Sequence, residues 1–232
     1  MAHMMAMNGW ISRSVIALLL GLAACSDDEP GVSIAKARAG ATGDQVTVDG
    51  SVSVPPGAFV SALGDQGFAI QDDTAGVYVK LDAKQALALG DRVRVTGTLD
   101  EQNQLRIIKA VPEDIVKLSG TALVEPRDVG TSAVNESVEG QLVRVAGNVT
   151  RTFQDDSPYG YKLYIDDGSG EVQVFVHASA GFDKASLEAL PAGQRITVVG
   201  LAAQYETTYE VAPRLPVDLT DYAPRQPADL TK

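Results

Sequence analysis

Four blocks of the sequence occur twice in the same order, and this repetition constrains the fold more than any other feature. Ordered self-similarity of this kind is the signature of a repeat architecture, so we interpret the chain as a tandem duplication of one module. A chain of 232 residues accommodates two modules of about 100 residues each. The matched blocks are QVTVDGSVSV (45–54) with LVRVAGNVTR (142–151), AIQDDTAGVYVKL (69–81) with YIDDGSGEVQVFV (164–176), GDRVRVTGTL (90–99) with GQRITVVGLA (193–202), and LRIIKAVPEDI (105–115) with YEVAPRLPVDL (209–219).

Each copy has the pattern of a small β-barrel. Apolar and polar residues alternate in VTVDGSVSV and in DRVRVTGTL, as they do in strands with one buried face. A helical pattern follows the third strand of each copy, DAKQALAL at 82–89 and DKASLEAL at 183–190. Three strands, a helix and two further strands are the element order of the OB-fold. We therefore predict an all-β fold of two tandem five-stranded OB-fold Greek-key barrels, each with one short helix between strands 3 and 4.

The stretch IDDGSGEV at 165–172 admits two interpretations, a calcium-binding loop or a tight turn between two strands. A calcium loop needs about six to eight oxygen ligands at fixed spacing. The matched stretch of the first copy, IQDDTAGV at 70–77, has Asp73 where Gly168 stands and Gly76 where Glu171 stands. Because the oxygen-bearing positions change while the turn-forming character persists, we predict a hairpin turn at both places.

The first 24 residues are typical of a tag remnant, MAHM, followed by a secretory signal peptide. Arg13 precedes an apolar run of about ten residues, which is too short to span a bilayer. The next residues, LAAC at 22–25, resemble the bacterial lipobox, in which the cysteine is lipidated and the signal is cut before it. This resemblance implies a lipid anchor on Cys25, the only cysteine. Because Ser26 rather than Asp follows, it also implies an outer-membrane lipoprotein of the bacterial cell envelope that faces the periplasm or the exterior. The alternative is an ordinary secreted chain with one unpaired thiol.

The domain boundaries follow from the repeat and from composition. The polar residues after Cys25 and the residues after Tyr222 lack strand patterning, so we predict a flexible tether and a frayed tail. The predicted divisions are 1–24, tag remnant and signal peptide; 25–43, lipidated cysteine and tether; 44–117, first OB-fold; 118–137, linker; 138–222, second OB-fold; and 223–232, tail.

The sequence contains little catalytic chemistry. No nucleophile-elbow, Walker or dinucleotide-binding motif is present, and a zinc site would require more His and Cys ligands than the chain has. We interpret His177 as a partly exposed residue at a strand end without a functional role, and we predict no enzymatic activity and no cofactor. The weak alternative is a metal-dependent hydrolase built on a carboxylate cluster of Asp155, Asp156, Asp166 and Asp167.

Aromatic residues are concentrated in the second copy, around FQDDSPYGYKLY at 153–164. In OB-folds the face of strands 2 and 3, with the loops after strands 1 and 4, holds the ligand. Aromatic rings there stack on bases or sugars, at roughly 1 to 3 kcal/mol per stacked base. The competing explanation is core packing, since alternation in YKLYI places Tyr161 with Leu163 and Ile165, opposite Lys162 and Tyr164. The predicted ligand-binding residues are Arg144, Arg151, Phe153, Tyr159, Tyr161, Lys162 and Tyr205.

Two stretches also resemble a known class of module. GFAIQDDTAGVYV with LGDRVRVTGTL in the first copy, and LYIDDGSGEVQVFV with AGQRITVVGL in the second, look like the OB-fold modules, labelled nucleic-acid-binding-like, of secreted bacterial nucleases and surface lipoproteins. The matched residues are mainly strand and turn positions, and no nuclease domain accompanies them. The resemblance therefore implies the fold more strongly than the function.

The formal net charge of −11 decides between the ligand classes at this stage, because such a charge repels polyanions at long range. We predict a non-catalytic, lipid-anchored envelope protein that binds a protein or glycan partner. The alternative is a single-stranded nucleic-acid-binding protein, which requires Arg144, Arg151 and Lys162 to form one exposed groove with Tyr159 and Tyr161.

Overall fold

The computed structural model describes Met1 and residues 31–221; the predicted signal peptide, Cys25 and the tail lie outside the described residues. The described part is all-β with few helices, and none of those helices has the length and apolar character needed to span a bilayer. The strands are β1 (Gln45–Val54), β2 (Phe68–Gln71), β3 (Gly76–Lys80), β4 (Asp91–Gln102), β5 (Leu105–Lys109), β6 (Ile115–Thr121), β7 (Arg127–Asp128), β8 (Leu142–Val149), β9 (Gln154–Asp156), β10 (Gly160–Asp166), β11 (Val172–His177), β12 (Arg195–Tyr205), β13 (Thr208–Pro213) and β14 (Leu219–Asp221). The α-helices are α1 (Ile34–Arg38) and α2 (Lys184–Glu188), and short 3-10 helices span Pro112–Asp114, Thr131–Ala133, Glu136–Val138, Ala178–Ala180 and Pro216–Asp218.

The first sheet closes into a five-stranded barrel. Its strand order is β1-β2-β3-β5-β4-β6, and β1 pairs a second time with β4. The long β1 makes this closure possible, because its first part pairs with β4 and its last residues pair with β2 across a register shift between Val52 and Val54. Strands β3 and β5 are parallel, as the Greek-key order of an OB-fold requires.

The second sheet repeats this pairing order. Strands β8, β10, β11, β13 and β12 take the places of β1, β2, β3, β5 and β4, and β12 pairs with β8. Matched glycines occupy equivalent close approaches, because a Cβ on Gly97 would lie 2.4 Å from the Lys109 carbonyl oxygen and one on Gly200 would lie 2.5 Å from that of Ala212. The repeat in the sequence therefore corresponds to a repeat in strand pairing.

The predicted helix between strands 3 and 4 is present only in the second copy. There Asp183 accepts a hydrogen bond from the Ser186 N–H at 2.9 Å, and Leu187 of α2 is buried in the core. Residues 82–89 of the first copy contain no helix, so that part of the fold prediction is wrong. None of these residues is buried, and a short helix without buried contacts is unstable in water.

The segments before each barrel are packed rather than extended. Residues 31–43 of the predicted tether include α1, and its Ile34 and Ala37 lie in the first core, so the tether prediction is wrong there. Strand β6 crosses the predicted boundary between residues 117 and 118. Within the predicted linker, Thr131 and Val134 are buried against the second barrel. These residues are ordered because each barrel needs apolar side chains from its preceding segment to complete its core.

The two matched turns hold these preceding segments in place. In the first copy Asp72 accepts hydrogen bonds from the Ile34 N–H at 2.8 Å and the Thr74 hydroxyl at 2.6 Å. At the matched position Asp167 accepts from the Thr131 N–H at 3.2 Å and the Ser169 hydroxyl at 2.5 Å. The hairpin prediction for the 165–172 stretch is confirmed, since β10 and β11 pair as antiparallel neighbours on either side of it. Each aspartate therefore stabilises both its own turn and the segment before its barrel.

The two sheets pack directly on each other. A third apolar cluster lies between them and contains residues of both: Val54, Ala58, Phe59, Ala69, Tyr78, Leu105, Ile107, Leu201, Ala203 and Ala212. Polar contacts surround it, including the hydrogen bond from Arg38 to the buried Glu139 at 2.9 Å and that from the Leu142 N–H to Gln71 at 2.8 Å. The described chain is therefore one packed body with a continuous interface.

Candidate ligand-binding face

The face of strands 2 and 3 in the first barrel is buried by the second barrel. Ala69 of β2 and Tyr78 of β3 are direct cross-strand neighbours, and both belong to the interface cluster. The Tyr78 hydroxyl donates to Asp65 at 2.8 Å, and burial raises the pKa of Tyr78 well above its usual value. Because Tyr78 and Ala69 are fully buried, this face is closed to a ligand.

The corresponding face of the second barrel is partly open. Along β10, Tyr161, Leu163 and Ile165 pack on the core, whereas Lys162 and Tyr164 point outward. Across the strand pair, Lys162 lies opposite Phe175 and Tyr164 lies opposite Gln173. We call the surface formed by Arg151, Lys162, Tyr164 and Gln173 the open face.

A stacked cation forms the centre of the open face. The Arg151 guanidinium carbon lies 4.2 Å from the centroid of the Tyr164 ring, close enough for cation–π attraction. Glu171 holds the guanidinium in place, with Arg151 Nε donating to its Oε2 at 3.0 Å. The Arg151 side chain remains 53% exposed, so part of its surface is free to contact a ligand.

Lys162 marks the point where the open face meets the interface. Its Nζ lies 3.0 Å from Asp156 and 5.9 Å from the centroid of the Phe175 ring. The rings of Phe175 and His177 meet edge-on with centroids 4.8 Å apart, and the rings of His177 and Phe59 of the first barrel have centroids 4.6 Å apart. The rings from Phe175 onward are therefore covered by the first barrel.

His177 is buried, so the prediction of a partly exposed residue is wrong, because Phe59 and Phe175 pack against its ring. Burial lowers the pKa of His177 from 6.5 to about 4, so its imidazole is neutral at pH 7. Its Nε2 has no hydrogen-bond partner in the part of the chain that the structure describes.

The structure separates the other predicted ligand-binding residues. Phe153 and Tyr161 pack against the second core with ring centroids 5.5 Å apart, which fits the core explanation for these two rings. Tyr159 is 61% exposed in the turn between β9 and β10. Tyr205 is 54% exposed at the end of β12, next to Glu206, whose N–H donates to the Asn103 carbonyl oxygen of the first barrel.

Arg144 does not join the open face. It lies on β8 and pairs with Asp128 at 3.0 Å. Arg151 instead lies beyond the end of β8 at Val149 and pairs with Glu171. Arg151 and Lys162 thus share a face with Tyr164, whereas the predicted groove including Arg144 and Tyr161 is not formed.

The four aspartates of the hydrolase alternative each bind a different partner and do not form one cluster. Asp155 binds Lys184 at 2.7 Å, and this hydrogen bond lowers the pKa of Asp155 to about 2. Asp156 pairs with Lys162, Asp166 accepts the N–H groups of its own turn, and Asp167 binds Thr131. Among the described residues, no group of three or more His, Cys, Asp or Glu side chains is arranged to hold a metal ion.

Three residues on or beside the open face, Tyr164, Gln173 and Glu210, were not among the ligand-binding residues predicted from the sequence. Gln173 of β11 contacts the Tyr164 hydroxyl at 3.1 Å and Glu210 of β13 at 2.7 Å. Glu210 is 5% exposed, and burial raises the pKa of Glu210 to about 7. Glu210 is placed there by the parallel pairing of β11 with β13, in which Gln173 and Glu210 are partners. Local sequence patterns carry no signal for that pairing.

No protein-family model and no curated protein matches this chain. Solved structures with a similar arrangement include a murine DNA-binding protein bound to double-stranded DNA (12% identity, TM-score 0.39), which covers 79% of this chain and 98% of its own. The Ifi202 HINa domain in complex with double-stranded DNA has 9% identity and a TM-score of 0.39, covering 74% of this chain and 92% of its own. The single-stranded DNA-binding protein from Thermus aquaticus has 15% identity and a TM-score of 0.26, and the match covers 78% of this chain and 94% of that protein's chain. At these values the likeness carries no argument about ligand, and the function must be argued from the face itself.

Proposed function

We propose that the chain is a non-catalytic protein of two tandem OB-fold modules whose second module binds single-stranded nucleic acid on the open face. The observation that carries this proposal is the Arg151–Tyr164 stack on the strand surface that OB-folds use for ligands. Bases stack on aromatic rings and on guanidinium planes, and each stacked base contributes roughly 1 to 3 kcal/mol. Lys162, two residues from Tyr164 and on the same side of β10, lies where it can meet a backbone phosphate.

The charges on the face set the strength of this binding. Arg151 is paired with Glu171 and Lys162 with Asp156, so a phosphate must compete with a carboxylate for each cation. Two cation contacts to a single strand give a salt dependence of about −1.4 in the slope of log K against log salt. We therefore expect weak binding that is measurable at low salt.

Fluorescence anisotropy of a labelled oligothymidylate of about 12 nucleotides, titrated with the full chain, tests the proposal. Tyr164→Leu should weaken binding about 5- to 100-fold, the value of one lost stacking contact. Tyr205→Leu is the control, because Tyr205 is 54% exposed at the end of β12 and is not part of the open face. Absence of saturable binding by the wild-type chain at low salt would refute the proposal, as would equal losses in both variants.

A neutral oligosaccharide is the second candidate ligand, and the composition of the face favours it. Gln154 and Gln173 contact the Tyr164 hydroxyl, and Asp156 pairs with the neighbouring Lys162, so the face offers amide and carboxylate groups that suit sugar hydroxyls. The net charge of −11 does not oppose a neutral ligand.

The variant Asp156→Asn distinguishes the two ligands. It frees Lys162, so it should strengthen oligonucleotide binding, whereas it should weaken binding of a sugar that uses the carboxylate as acceptor. Asp128→Asn, which frees Arg144 away from the face, is the control and should change neither. Calorimetry with a panel of neutral oligosaccharides provides the second measurement.

We also propose that a lipid on Cys25 attaches the chain to the cell envelope, which the LAAC motif at 22–25 supports. Metabolic labelling with an alkyne fatty acid should mark the wild-type chain in bacteria and should leave Cys25→Ser unmarked. Equal labelling of both chains would contradict the assignment.

A further inference from the structure

A chain of hydrogen bonds connects the open face to a buried carboxyl group. The Tyr164 hydroxyl lies 3.1 Å from Gln173 Oε1, and Gln173 Nε2 lies 2.7 Å from Glu210 Oε2. A weaker contact joins the Tyr164 hydroxyl to Gln154 Oε1 at 3.4 Å. Gln173 therefore connects Glu210, buried on the neighbouring strand β13, to the ring on which Arg151 is stacked.

Counting donors and acceptors assigns each proton in this chain. An ionised carboxylate only accepts hydrogen bonds, so ionised Glu210 requires the NH₂ group of Gln173 to point at it. The amide oxygen of Gln173 then faces Tyr164, whose hydroxyl must donate toward the sheet. As a result, the lone pairs of the Tyr164 oxygen remain free to accept a hydrogen bond from a ligand.

Protonation of Glu210 removes this constraint. A neutral carboxyl group can donate to the amide oxygen of Gln173, which lets the amide turn over. Its NH₂ group would then donate to the Tyr164 oxygen and occupy the acceptor that the ligand would otherwise use.

We propose that Glu210 is a positioning residue that acts through Gln173 to set the Tyr164 hydroxyl as a hydrogen-bond acceptor toward the ligand. The inference rests on the proposed binding function and specifies it: the ligand group that meets Tyr164 carries an N–H, as an unpaired base does. Glu210 makes no direct contact with the ligand, because it is 5% exposed and lies beyond Gln173, on the neighbouring strand β13.

The surroundings of Glu210 place this transition near neutral pH. Burial raises the pKa of Glu210 to about 7, and the hydrogen bond from Gln173 opposes that rise. Two charged groups also act on the Glu210 carboxyl, Lys162 of β10 and Asp156 of β9. Lys162 favours the ionised carboxylate and Asp156 disfavours it. Ligand binding should therefore depend on pH although no titrating group touches the ligand.

The first measurement does not require a ligand. The side-chain amide signals of Gln173, followed by NMR in the full chain, should shift with pH through a midpoint near 7. The same signals should be independent of pH between about 6 and 8 in Glu210→Gln. A Gln173 amide that does not titrate in the wild-type chain overturns the inference, whether or not the chain binds nucleic acid.

The second measurement is the affinity for labelled oligothymidylate across the same pH range. Wild-type affinity should increase about 3- to 10-fold from pH 6 to pH 8, the effect of one hydrogen bond. Glu210→Gln can donate as well as accept, like the neutral carboxyl group, and Glu210→Leu offers no acceptor at all, so both variants should hold the low affinity at every pH. If the amide titrates but no oligonucleotide binds, the proposed function fails while the relay stands. Binding without pH dependence overturns the role of Glu210.

Discussion

Two buried groups of the second barrel, Glu210 and His177, should make the free energy of unfolding depend on pH in opposite directions. Burial raises the pKa of Glu210 from 4.5 to about 7 and lowers the pKa of His177 from 6.5 to about 4. Between pH 4.5 and 7, Glu210 keeps its proton in the folded chain but loses it in the unfolded chain, so stability falls as pH rises toward 7. For His177 the unfolded chain binds a proton that the folded chain excludes, so stability falls as pH drops from 6.5 toward 4.

The two contributions are of equal size. Each corresponds to about 3 kcal/mol, since one pKa unit is worth about 1.4 kcal/mol. In the interval from 4.5 to 6.5, where both groups act, their slopes cancel. Burial also raises the pKa of Glu139 above 4.5, so the wild-type chain should show only a shallow loss of stability as pH rises above that value. Aspartates with lowered pKa, such as Asp49, lose their contribution only below their unfolded value of 3.8 and do not affect this interval.

Single substitutions should separate the two contributions to the pH dependence of the free energy of unfolding. Glu210→Gln should lose about 3 kcal/mol between pH 6.5 and 4, because only the histidine contribution remains. His177→Phe keeps a ring against Phe59 and Phe175 and should gain about 3 kcal/mol as the pH falls from 7 to 4.5. Urea unfolding at constant ionic strength, followed by circular dichroism, measures both. Parallel pH profiles for the wild-type chain and the two variants would refute the reasoning.

Two further predictions concern the packing of the barrels and their preceding segments. A Cβ on Gly76 would lie 2.0 Å from the Gly140 carbonyl oxygen, so Gly76→Ala should force the two sheets apart. This substitution should lower the free energy of unfolding, measured in urea, by about 1 to 3 kcal/mol. An unchanged unfolding midpoint would show that the interface is not packed as described. Asp72→Ala should lower Tm by about 2 to 4 °C, because the Ile34 N–H loses its acceptor. The control Asp73→Ala, one residue further along, should have little effect. Equal changes in Tm for the two variants would argue against the role of Asp72.

The sequence predicted the elements that depend on neighbouring residues. Alternation of polar and apolar residues located the five main strands of each copy, and the turn residues located the hairpin after β10. The internal repeat also aligned Asp72 with Asp167, although their bonds to the preceding segments were not predicted. The helix at 82–89 failed because a helical pattern without a buried face does not by itself stabilise a helix.

By itself, the sequence determined a duplicated all-β chain and the outward direction of Lys162 and Tyr164, since strand alternation is a local property. Only the tertiary structure decided which OB-fold face stays open, because Tyr78 is closed off by residues of β12 and β13 that lie more than 100 positions away. The same holds for Glu210, whose place beside Gln173 depends on the parallel pairing of β11 with β13. Contacts of this kind are set by how whole sheets pack, and no local residue pattern encodes them.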